Sequence, residues 1–220
     1  MNAMRSPWKR AGLLGLFGVF GAVIAAGGAF GAETPATPAK TAPALAAFET
    51  IRTVLQHPRC QNCHIPGDAP LQFDAGVPHA QNVLRGPDGK GVPGLPCGTC
   101  HGAANPPASY GPHLPPGAPN WHLPPPERKM VFIGLSSAEL CATIKDRNRN
   151  GGRDLPGLFE HMSHDKLVLW GWDPGVGREP VAVPHDTLVA AMKTWIAAGA
   201  PCPGGEGAVG AEGAAHRGGR

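Results

Sequence analysis

Cys60-Gln61-Asn62-Cys63-His64 and Cys97-Gly98-Thr99-Cys100-His101 are two copies of one pattern, C-x-x-C-H, and their reading decides the rest of the chain. Two thiols spaced this way lie about one helical turn apart, with an imidazole directly after the second. That is the attachment signature of a c-type haem. Each thiol adds across one vinyl group of the porphyrin, and the adjoining imidazole reaches the iron as proximal ligand. The pattern therefore assigns Cys60, Cys63, Cys97 and Cys100 to thioether bonds with two covalent haem c groups, and His64 and His101 to iron. A Cys₄ zinc site would use the same thiol pairs but gives no reason for a histidine after both. Redox-active C-x-x-C motifs expect a βαβ context that the flanking sequence lacks.

Working outward, the first segment reads as an export signal. Arg5, Lys9 and Arg10 precede an uncharged apolar run from Ala11 to Ala32, with small residues at Ala29 and Gly31 before Glu33. An uncleaved anchor is the competing reading, since about 20 apolar residues just span a bilayer. Either way the expectation is an exported, periplasmic chain, held at a membrane only if that segment is retained. Residues 1–32 are thus a signal peptide or anchor, 33–44 a Pro/Ala/Thr linker, 45–203 a di-haem domain and 204–220 a disordered Gly-rich tail.

Composition fits such a domain. The 220 residues include 32 glycines and 26 prolines, about a quarter of the chain, against 42% hydrophobic residues. Such a backbone favours irregular loops over long regular elements, and a bulky buried prosthetic group offers it a core. The formal charge of +3 does not point to nucleic acid. The densest basic run is Arg147, Arg149 and Arg153, expected as solvated surface, with propionate or partner contacts as the lesser reading.

The fold class expected is mainly α with extensive irregular loops: a single small domain wrapped around both haems, cytochrome c-like without the standard class I pattern. Leu45, Phe48, Ile51 and Leu55 recur at helical spacing over 43–56, leading into the first motif. Residues 102–126 are mostly turn-forming. Ser136-x-x-Glu139 is a capping box ahead of Leu140 and Ile144, in a helix ending near Asn150-Gly151-Gly152. A short helix is expected over Asp154–His161, followed by the Trp-containing segment 167–172. A last helix has Asp186 as cap, Leu188, Val189, Met192, Trp195 and Ile196 on one face, and Gly199 as stop. Cys141 and Cys202, an even pair in an oxidising compartment, are expected as a disulfide, with two free thiols as the alternative.

The sixth ligand of each iron is open at this level. Beyond the motifs the histidines are 57, 79, 113, 122, 161, 164, 185 and 216, and Met130, Met162 and Met192 are the sulfur candidates. His57 lies too near Cys60 to reach its own haem, His216 lies in the tail, and Met192 matches the core stripe of its helix. His79, in the loop between the motifs, and His122, beside Trp121, are the candidate distal ligands, with His161 and His185 next. Two function classes follow. One is an electron carrier, or the electron-accepting subunit of an oxidoreductase, and not itself an enzyme. The other is a small di-haem enzyme, a peroxidase or sulfur-compound oxidase, with one open iron.

HPRCQNCH (57–64), RGPDGKGVPGLPCGTCH (85–101), GAPNWHLPPP (117–126), RNGGRDLPGLFEH (149–161), LVLWGWDPG (167–175) and the closing stretch from Trp195 to Pro203 together resemble a family. These are small proteobacterial proteins labelled isoquinoline 1-oxidoreductase subunits, which carry two C-x-x-C-H motifs. The resemblance covers roughly residues 45–203. It implies a haem subunit serving a molybdenum hydroxylase that oxidises aldehydes or N-heterocycles; a membrane respiratory complex is the other redox partner considered. No molybdopterin or iron–sulfur motif occurs in the chain itself. In that family Cys141 and Cys202 fall on matching positions, consistent with the disulfide.

Overall fold

The computed structural model describes residues 38–205. These belong to the larger of two units, Pro35–Arg220. The expected export segment, the start of the linker and most of the Gly-rich tail lie outside the described residues.

The first helix, α1 (Pro38–Leu55), starts earlier than its apolar stripe suggests, so that residues 38–44 of the expected linker are helical. Its stripe is buried as the spacing requires: Phe48, Ile51, Val54 and Leu55 are in the core, while Leu45 is only half-buried. The last helix, α6 (His185–Ala197), packs along α1, and the Phe48 and Trp195 rings meet at 5.4 Å between centroids. Between them in sequence come α2 (Pro58–Gln61), α3 (Ser137–Lys145), α4 (Leu155–His164) and α5 (Lys166–Leu169). Leu140, Ile144, Leu158, Met162, Leu188, Met192 and Trp195 join the α1 stripe in one hydrophobic cluster.

The helix ends follow local chemistry. The Ser136 hydroxyl accepts from the Glu139 N–H at 3.3 Å, and the Glu139 carboxylate accepts from the Ser136 N–H at 2.9 Å. The Asp154 carboxylate caps α4 by accepting from Gly157 N–H at 2.9 Å. Asp186 is not the cap of α6: Pro184 holds that position, and Asp186 sits in the first turn, where a carboxylate still favours the helix dipole. α3 stops at Lys145, ahead of the Asn150-Gly151-Gly152 turn, and α4 runs on to His164. The disulfide between Cys141 and Cys202, with Cα atoms 5.5 Å apart, closes the helical cluster. The same strap is tied by Trp195 Nε1–H to the Pro201 carbonyl at 2.9 Å and Lys145 Nζ to the Ala200 carbonyl at 2.6 Å.

The long connection 62–135 is irregular apart from short 3₁₀ turns and two minimal antiparallel ladders. Leu71–Gln72 (β1) pairs with Val77–Pro78 (β2), and Gly91–Val92 (β3) with Leu95–Pro96 (β4). Arg85 organises this region. Its side chain is fully buried and donates to the carbonyls of Ile65, Gly67 and Pro124, with the Asp68 carboxylate at 3.4 Å. One guanidinium therefore fastens the loop after the first motif, the loop before the second, and the segment holding His122. Gly89 reinforces the join: the Leu123 N–H donates to its carbonyl at 2.8 Å, and a Cβ there would lie 2.0 Å from the Leu123 oxygen. Among the described residues no helix is long and apolar enough to cross a membrane.

Candidate functional site

The two motifs adopt the same local turn. α2 carries Cys60 in its last turn, and the His64 N–H donates to the Cys60 carbonyl at 3.1 Å. In the second copy a 3₁₀ turn spans Cys97–Thr99, and the His101 N–H donates to the Cys97 carbonyl at 3.0 Å. His57, set aside as a ligand, serves the local backbone instead. Its Nδ1 accepts from the Arg59 N–H at 3.2 Å and starts α2. All four motif thiols are free.

Each motif imidazole is oriented by a backbone carbonyl. His64 Nδ1 lies 2.8 Å from the Met130 carbonyl oxygen, and His101 Nδ1 lies 2.7 Å from that of Pro116. A carbonyl only accepts, so Nδ1 carries the proton and Nε2 keeps its lone pair. This is the tautomer a metal-ligating imidazole needs. Gly117 secures the Pro116 carbonyl, since a Cβ there would come within 2.1 Å of the Ala104 oxygen. An aromatic ring stacks on each imidazole, Phe132 on His64 at 3.9 Å and Trp121 on His101 at 4.4 Å.

The surroundings differ. Cys60, Cys63 and His64 line a cavity of about 360 Å³ beneath α1, α4 and α6. Its apolar wall includes Leu55, Met130, Phe132, Leu158, Met162 and Met192. Burial pushes the thiols up, Cys60 to about 12 and Cys63 to about 11. The same loss of hydration lowers His64 to about 4, although its bond to the Met130 carbonyl acts the other way. Cys97, Cys100 and His101 do not line this cavity, and Cys100 is exposed. Burial also lowers the pKa of His101.

Arginines meet the cavity wall at Arg59, Arg128, Arg149 and Arg153, against the single carboxylate of Asp165. Of the three arginines expected as solvated surface, Arg147 and Arg149 are exposed as expected, Arg149 at the cavity edge, and Arg153 is half-buried against its wall. Arg59 is buried, pairs through Nη2 with Asp74 at 2.5 Å and lies over the Trp170 ring at 5.8 Å. Its buried Nε finds no protein acceptor.

Of the candidate distal histidines, His79 stands with its ring centroid 6.2 Å from that of His101, its Nδ1 held by the Ala80 carbonyl at 2.8 Å. His122 lines the cavity of the first motif, with Nδ1 at 2.6 Å from the Asn120 carbonyl. His161 lines it too. His185 does not qualify: its Nε2 is used by the Met162 carbonyl at 3.2 Å, and its ring packs edge-on against Trp172. Sequence reasoning did not find Arg85, Asp165 or the two carbonyls that set the imidazole tautomers. A carbonyl has no side-chain signature, and a lone arginine in a Gly/Pro-rich loop reads as solvated.

Among the described residues no three His, Cys, Asp or Glu side chains gather into a site for a bare metal ion, so the four motif thiols do not converge as a Cys₄ cage. No family model, curated protein or solved structure matches the chain.

Proposed function

We propose that this chain is an exported di-haem c-type cytochrome, an electron carrier or the electron-accepting subunit of an oxidoreductase. The observation that supports it most is the repeated turn: two free thiols, then an imidazole whose Nδ1–H is committed to a carbonyl and whose Nε2 is free. A disulfide or a bare-metal cage has no use for that arrangement twice. A haem iron does, because the porphyrin fills four positions and asks the protein for only two.

The residues present fit the group. The cavity beside Cys60 and Cys63 is mostly apolar and of ligand-pocket size, 360 Å³. Its arginines, above all the unpartnered Nε of Arg59, suit the carboxylates of haem propionates. In the second motif, His101 and His79, with ring centres 6.2 Å apart, are the residues that would hold the iron. Bound there, the haems supply one-electron iron chemistry. The chain's own part is to fix each ring, wall the first site with apolar side chains and leave Cys100 of the second exposed. Arg85, donating to the Ile65 and Gly67 carbonyls, ties the loop before the second motif to the loop after the first. Electrons would enter at one site and leave at the other, toward a redox partner such as a molybdenum hydroxylase or a membrane respiratory complex.

A redox-titrated optical spectrum of the matured protein tests this. It should show two low-spin haems per chain, unchanged by carbon monoxide or cyanide. High-spin iron that binds carbon monoxide would favour the small di-haem enzyme instead.

A further inference from the structure

We infer that His161 of α4, and not His122, supplies the second protein ligand to the iron held by His64, with Asp165 as its positioning residue. The inference rests on the di-haem reading and deepens it at the first motif. Both histidines line the cavity. They differ in how they are held.

His161 lies on a regular helix whose Leu158 and Met162 are buried in the hydrophobic cluster, which fixes the face His161 presents. Its side chain is only 27% exposed. His161 Nδ1 meets Asp165 Oδ2 at 3.1 Å. Asp165 is itself fixed, because its Oδ1 accepts from the Leu167 N–H at 2.9 Å and caps α5. An ionised carboxylate only accepts, so Nδ1–H donates and Nε2 is left free. A carboxylate behind a metal-bound imidazole fixes its orientation and raises its basicity.

His122 sits on irregular backbone after Asn120, which has φ of 57°. Its Nδ1 is tied to that same residue's carbonyl, two positions back. Its neighbour Trp121 faces the other motif, stacked on His101.

The test uses the full chain matured with haem and compares His161→Ala with His122→Ala. A pyridine haemochrome first counts the haems. Fewer than two in the unsubstituted protein sinks the di-haem reading itself, a failure distinct from that of the ligand assignment. With two present, His161→Ala should turn half of the haem high-spin, and added imidazole should restore the low-spin spectrum. His122→Ala should stay low-spin. The inference is overturned if His161→Ala stays low-spin, or if His122→Ala alone yields the high-spin signal. Asp165→Asn provides a second readout. The amide oxygen can still cap α5, but an NH₂ now faces Nδ1–H. One of the two reduction potentials should rise while the spin state stays low, because a less basic imidazole stabilises ferric iron less. Unchanged potentials would remove Asp165 from its role.

Discussion

The two C-x-x-C-H turns share their backbone hydrogen bonds, a carbonyl on each Nδ1 and a stacked aromatic ring, and differ in the elements packed around them. The first is built on helices. It follows α1 directly, and its thiols and imidazole face a cavity walled by α4 and α6. The second is built on loops: a two-residue ladder delivers Cys97, Pro116 orients His101, and Cys100 faces solvent. The difference shows what the motif does alone and what the fold adds. Local spacing suffices to form the turn, while carbonyls from other segments aim the imidazoles. Burial, the charge state of the thiols and access to partners come from the elements packed against it.

The largest expected effect falls on the helical side. The Cys141–Cys202 bridge closes a loop with a separation of 61 residues, and chain entropy puts its loss at about 4 kcal/mol. Replacing both cysteines by alanine should lower the urea midpoint strongly. If the midpoint moves only slightly, the helical side does not depend on the strap from Ala200 to Cys202. Arg85→Ala probes the join between the two halves. It orphans three carbonyls, at about 1 kcal/mol or more each, and should cost about 3 kcal/mol in the same assay. The variant should also lose hydrogen-exchange protection on both sides of the join, at 65–68 and 85–91. Loss confined to one side would mean that the two sites are held independently.

A smaller effect is pH-dependent and belongs to the haem-free chain. His64 has its pKa lowered by burial to about 4, so the unfolded state takes up its proton first. The stability from burying it neutral is complete above about pH 6.5 and is lost as pH falls toward 4. His64→Phe should flatten that part of the profile, measured by denaturant melts across the range; an unaltered slope would place the loss elsewhere. The finest contrast is chemical and leaves stability alone. In the haem-free protein an alkylating reagent at pH 8 should label Cys100 before Cys60 or Cys63. Those two are only partly exposed and face the apolar cavity, which pushes their thiols up to about 12 and 11, so little thiolate is present. Equal labelling rates would erase the distinction between the motifs.

Much of the helical side was readable from residue order. The α1 stripe, the Ser136–Glu139 capping box, the face carrying Leu188, Met192 and Trp195, and the Cys141–Cys202 pair each carry a short-range or pairwise signal. The helix boundaries were less clear. Pro38 begins a helix within a Pro/Ala/Thr stretch, and Pro184 rather than Asp186 caps the last one, positions where a proline's fixed φ suits the start of a helix. On the loop side the two motifs were legible, and the contacts orienting them were not. Arg85 reaches from one loop to Pro124, and Asp165 joins the end of α4 to the start of α5. Such bonds depend on which segments meet in space, and no periodicity announces them.

The proposed function turns on a covalent haem at each of the two turns, and the intact mass of the chain matured in a host competent for c-type haem attachment decides it. The expected mass is the polypeptide plus two haems, retained through denaturation and acid–acetone extraction; the bare polypeptide mass would rule both haems out.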